Sequence, residues 1–85
     1  MITGAQIRAA RAAIRWSAVV LSKKAGVGIQ TIKRLESADG VPPGRAATLQ
    51  TVQTVLEAAG IEFIGTPNDK PGVRFSFPAS SEEGR

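Results

Sequence analysis

The side chains able to do chemistry in this 85-residue chain are mainly cations, amides and hydroxyls, because histidine and cysteine are both absent. The commonest general base and metal ligand are therefore missing, as are thiolates and disulfides. No constellation of acid and base and no phosphate-cradling glycine loop stands out. An enzyme is not expected, and neither is a metal or other cofactor. What stands out is a tight group of donors, Gln30, Lys33 and Arg34, beside the apolar Ile29. Its chemistry is hydrogen bonding plus positive charge, which fits a polyanion.

The distribution of charge agrees. Residues 1–45 carry Arg8, Arg11, Arg15, Lys23, Lys24, Lys33, Arg34 and Arg45 against Glu36 and Asp39, a surplus of +6. Residues 46–85 carry three bases against five acids, or −2. A basic half and a slightly acidic half imply different tasks, the first of them contact with nucleic acid. No apolar run is long enough to span a membrane. The N-terminus lacks the basic-then-apolar pattern of a signal peptide, so the expected location is the cytoplasm, with the nucleoid.

Helices must position those donors. Thr3-Gly-Ala-Gln6 has capping-box spacing and predicts a helix to Ile14 or Arg15. At about 100° per residue, Ile7, Ala10 and Ile14 share one stripe, and Arg11 falls inside it. Ser17 is a natural N-cap for a short helix to Ala25, with Gly26 closing it. A third helix is expected over about 28–37. Its outward arc holds Ile29, Gln30, Lys33, Arg34 and Ser37, and Ile32 and Leu35 face inward. "SADGVPPG" (37–44) is a loop. A fourth helix should run from about Arg45 to Ala59, with Ala46, Leu49, Val52, Leu56 and Ala59 on one stripe and Gly60 as its stop.

The period then changes. "IEFIG" (61–65) and "GVRFSF" (72–77) alternate and are rich in β-branched and aromatic residues, with the turn-rich "TPNDKP" between them. They read as a β-hairpin or a pair of short strands. Ile61, Phe63, Val73, Phe75 and Phe77 need cover. Packing back on the fourth helix is one solution. Pairing across a homodimer is the favoured one, since an isolated hairpin is marginal and a free edge is a hazard. Residues 78–85 are polar and expected to be disordered. The layout is thus mostly α: a compact four-helix domain over 1–60, a strand element for dimerisation over 61–77 and a tail.

Ala25-Gly26-Val27 has the three features that a helix-turn-helix needs at its turn. These are a small residue for close crossing, a glycine for the left-handed conformation and an apolar plug. With "IRAAR" (7–11), "WS" (16–17), Leu21, "TIKRLE" (31–36), the loop prolines and "TL" (48–49), the first 60 or so residues resemble the lambda-repressor-like, or Cro/XRE, family of DNA-binding domains. The tail "LEAAGIEFIG…GVRFSF" resembles a subset of small bacterial regulators that end in short strands.

The resemblance implies a homodimeric transcription regulator, with the helix at 28–37 in the major groove of a palindromic operator. Gln30 suits an adenine edge, Arg34 a guanine edge or a phosphate, Lys33 either, and Ile29 only a thymine methyl or local packing. Phosphate contacts are expected from Arg8, Arg15, Ser17, Lys23, Lys24, Arg45 and main-chain amides. Arg11 and Glu36 are expected to pair, because each would otherwise be a partly buried lone charge, and the family carries such a pair at these positions.

The chain departs from the family after Ser17. Ala18, Val19 and Val20 stand where a glutamine and polar residues are usual, and Gly28 replaces the usual Ser or Thr cap. Val19 and Val20, expected to be partly exposed, leave a second reading open: a protein-interaction module, such as an antitoxin or antiactivator, on the same fold.

Overall fold

A computed structural model describes residues 1–76. It contains α1 (Gly4–Ala13), α2 (Ala18–Ala25), α3 (Ile29–Ser37) and α4 (Ala46–Ala58). An antiparallel pair follows, β1 (Ile61–Thr66) and β2 (Asp69–Phe75). Four helices followed by a hairpin is the expected layout. Phe77 and residues 78–85, expected to be an interface residue and a tail, lie outside the described residues.

The helix ends follow from local chemistry. Thr3 Oγ1 accepts from the Gln6 N–H at 3.0 Å, and Gln6 Oε1 accepts from the Thr3 N–H at 2.8 Å, closing the capping box. At the other end of α1, Arg15 adopts φ 60°, a left-handed conformation usually taken by glycine. Its N–H donates to Ala12 O at 3.2 Å, and the next N–H, of Trp16, reaches Arg11 O at 3.0 Å. This is a Schellman closure with arginine in the glycine position. Ser17 caps α2 by accepting from the Val20 N–H at 3.1 Å, and Gly26 (φ 65°) turns the chain out of it. Ser22 Oγ then donates to Val27 O at 2.6 Å and fastens the turn.

One core serves all four helices. It joins Ile7 and Ala10 of α1, Leu21 of α2, Ile32 and Leu35 of α3, and Leu49, Val52 and Leu56 of α4. Ala25 and Val27, the small residue and the plug of the turn, pack against it. Each fully buried Leu or Ile contributes about 1.5–3 kcal/mol. Two alanines of the expected α4 stripe stay outside it: Ala46 is exposed and Ala59 half-buried. Gly4 permits the closest approach. Its N–H donates to Gly40 O at 2.9 Å, and a Cβ there would overlap the carbonyl oxygens of Leu35 and Ala38.

The hairpin corrects one expectation. Ile61, assigned to a dimer interface, is 3% exposed and belongs to the core of its own chain. Phe63, Val73 and Phe75 are half-buried and pack against that same core. The physical reason is register. Pairing of Ile61 with Phe75 and of Phe63 with Val73 puts all four side chains on one face, which lies on α1 and α4. The strands also run further into the turn than expected, leaving Pro67-Asn68 as its tip, with a bulge between Ile64 and Thr66. Gly65 (φ 77°) allows that bulge, since a side chain there would meet the Lys70 backbone.

Gln6 binds the two ends of the described chain together. Its Nε2 donates to Ile64 O at 3.1 Å and to Gly72 O at 2.8 Å, one carbonyl from each strand. The buried amide therefore serves the helix cap with its oxygen and the hairpin with its nitrogen.

Candidate nucleic-acid interface

α3 is sharply two-sided. Ile32, Leu35 and Glu36 are buried, and Gln30, Lys33, Arg34 and Ser37 are exposed. Ile29, expected on the outward arc, is half-buried, so its side chain divides between local packing and the outer face. Gly28 precedes it with extended backbone and no side-chain cap, leaving the first N–H groups of α3 without that partner.

Two arginines of α1 hold the inner side of α3. Arg11 donates Nε–H to Glu36 Oε2 at 2.8 Å and Nη2–H to Oε1 at 2.9 Å, a two-pronged fork. Its third donor, Nη1, reaches Trp16 O at 2.9 Å. The Glu36 side chain is 10% exposed and that of Arg11 25%, so the pair is largely withdrawn from water. The Glu36 hydrogen bond raises the Arg11 pKa above its ordinary value. Desolvation opposes that rise, and the Glu36 charge adds to it. Since the folded value is the higher one, the stabilisation is complete below the ordinary arginine value and is lost only in strong alkali.

Arg8 was expected to meet a phosphate. Its guanidinium is instead engaged at the C-terminal end of α3, donating to the main-chain carbonyl of Glu36 and, at 3.0 Å, to Asp39 Oδ1. It thereby meets the negative end of the helix.

The other cations expected at phosphates are exposed. They are Arg15 behind α1, Lys23 and Lys24 at the end of α2, and Arg45 as the N-cap residue of α4; Ser17, also exposed, starts α2. Lys24 Nζ stands 5.5 Å from the centre of the Trp16 ring, a cation–π distance. Arg34 Nη2 donates to Thr31 Oγ1 at 3.3 Å, on the flank of α3 that faces a cleft of about 500 Å³. Val19 is 52% exposed near the start of α2, and its neighbour Val20 is half-buried.

Reading the sequence by elements missed three polar contributors. Gln6 carried a visible capping signal, but nothing in it pointed to the hairpin. Ser22 and Thr31 act on the turn and on Arg34 through i+5 and i+3 contacts that many helices could make. Among the described residues no helix is long and apolar enough to cross a membrane. Comparison with protein-family models and with curated proteins finds no match to this chain.

Proposed function

We propose that this chain is a sequence-specific, double-stranded-DNA-binding transcription regulator of the lambda-repressor-like type. The observation that carries the proposal is the exposed face of α3. Gln30, Lys33 and Arg34 project together from a helix whose other face is locked into the core and onto Arg11. A left-handed Gly26 sets that helix against α2, as a helix-turn-helix requires. In this role the first turn of α3 meets base edges, and Gln30 pairs with an adenine edge. Lys33, one turn on, meets a guanine edge or a phosphate. Arg15, Ser17, Lys23, Lys24 and Arg45 approach the flanking backbone. The active species is a homodimer, with two copies of α3 about 34 Å apart on a palindrome. It acts where the genome is, in the cytoplasm.

The test is fluorescence anisotropy with duplexes tiled across the DNA upstream of its own gene, repeated over a salt series. A preferred fragment with inverted symmetry and a steeply negative salt slope is the expected result. Equal, weak binding to every duplex would sink the proposal.

The exposure of Val19 favours a second role, protein interaction on the same fold. A partner lost on Val19→Glu and kept on Arg34→Ala would establish it.

A further inference from the structure

The six arginines among the described residues divide into two groups. Arg8, Arg11 and Arg74 each pair with an acid: Asp39, Glu36 and Glu62. Arg15, Arg34 and Arg45 have no such ion pair, and two of these, Arg34 and Arg45, line one cleft of about 500 Å³ between the flank of α3 and the start of α4. Thr31 and Thr48 line it too, and Leu35 and Pro43 are its apolar lining. Its lining therefore includes two arginines and two threonines and no acidic residue. Two like charges left unneutralised around one concavity make a local field that attracts an anion.

Two further features fix the arrangement. The hydrogen bond from Arg34 to Thr31 holds that guanidinium on the helix flank, one turn beyond Gln30. The adjacent prolines, Pro42 and Pro43, restrict the loop that delivers Arg45, and Pro42 is buried. Guanidinium groups match the paired non-bridging oxygens of a phosphodiester, and the cleft has room for one.

We propose that Arg34 and Arg45 jointly grip a single backbone phosphate, so Arg34 positions the protein on DNA and does not read a base. The inference rests on the DNA-binding reading above, and it decides between the two uses open to Arg34, a guanine edge or a phosphate. Base choice then belongs to the first turn of α3 and to Lys33.

The experiment uses the preferred duplex and its single-base-pair variants, with wild type, Arg34→Ala, Arg45→Ala, the double variant and Gln30→Ala. Both arginines are exposed, so folding is checked by circular dichroism and is expected to be unchanged. Each arginine variant should lose about tenfold or more in affinity, by the same factor on every base-pair variant. Gln30→Ala should instead flatten the preference at one position. A scan replacing one phosphate at a time by neutral methylphosphonate should find a linkage that weakens the wild type and leaves the double variant indifferent. The double variant should reduce the salt slope by the ~0.9 of one phosphate.

A changed preference at a single base pair in Arg34→Ala would overturn the grip while leaving DNA binding intact. Two distinct linkages, one for each arginine, would do the same. A wild-type chain without any preferred duplex would overturn both readings together.

Discussion

Arg11 and Glu36 meet through two parallel hydrogen bonds of 2.8 and 2.9 Å, joining α1 to the last turn of the helix that carries the exposed donors. Removing one partner strands a nearly buried charge. Glu36→Ala should cost stability toward the lower end of the about 3–5 kcal/mol typical of a broken buried pair, since Arg11 keeps some contact with water. Arg11→Met combined with Glu36→Leu should recover most of it. Urea denaturation followed by circular dichroism measures both; a double-variant loss equal to the sum of the losses in Arg11→Met and Glu36→Leu alone would show that the pair is not coupled.

Gly4 and Gly28 should respond oppositely to a side chain. At Gly4 a Cβ meets the Leu35 and Ala38 carbonyls, and rigid backbone cannot yield, so Gly4→Ala should destabilise by at least about 1–3 kcal/mol. At Gly28 nothing lies within 4 Å, and the position is an uncapped N-cap with ordinary φ. Gly28→Ser should stabilise by about 0.5–1 kcal/mol, through a cap bond and a less flexible unfolded chain. Thermal melts of the two variants should move in opposite directions.

Gln6→Glu tests the link between helix and hairpin. A carboxylate keeps the bond to the Thr3 N–H but presents oxygen to the carbonyls of Ile64 and Gly72. Loss of two donors in a buried place should cost about 1–3 kcal/mol. Hydrogen exchange should quicken in β1 and β2 more than in α2. Uniform quickening throughout the chain would show that Gln6 has no local hold on the hairpin.

Arg15→Gly should separate stability from binding. Arginine at φ 60° carries about 1–2 kcal/mol of left-handed cost, which glycine removes at some loss of backbone entropy. A gain of up to about 1 kcal/mol is expected. If the proposed phosphate contact exists, the same variant binds DNA more weakly and with a shallower salt slope. A better-folded variant with unchanged DNA affinity would remove Arg15 from the interface.

Ile29 gives a test of base reading that needs no structure of a complex. Replacing by uracil the thymine that Ile29 is proposed to read should weaken wild-type binding by up to the roughly 1–3 kcal/mol of a good base contact. Ile29→Ala should be indifferent to that exchange. A wild type equally indifferent would assign Ile29 to packing alone, as its half-buried position already allows.

The helices were legible because their ends are written locally. Thr3 and Gln6 cap across three residues, Ser17 caps Val20, and Gly26 supplies its own left-handed turn. The inward and outward faces of α3 followed from the helical step. Other features depend on packing partners distant in sequence. Alternation showed that Ile61 needs cover, but not that its own helices provide it. Charge showed that Arg8 seeks an anion, and the C-terminal end of α3 supplies one that no count of acids reveals. The Arg34–Arg45 cleft lies between elements separated by a loop, so neither residue's neighbours in sequence announce it.

The bonds from Gln6 to Ile64 and Gly72 span 58 and 66 positions of the chain. On a ribosome, residue 6 emerges long before its acceptors exist. The side chain that closes the cap of α1 therefore waits for both strands before its amide nitrogen is satisfied. This polar connection thus joins an early-made residue to a late-made one. A chain terminated before Gly72 would lack one of the two acceptors of that amide.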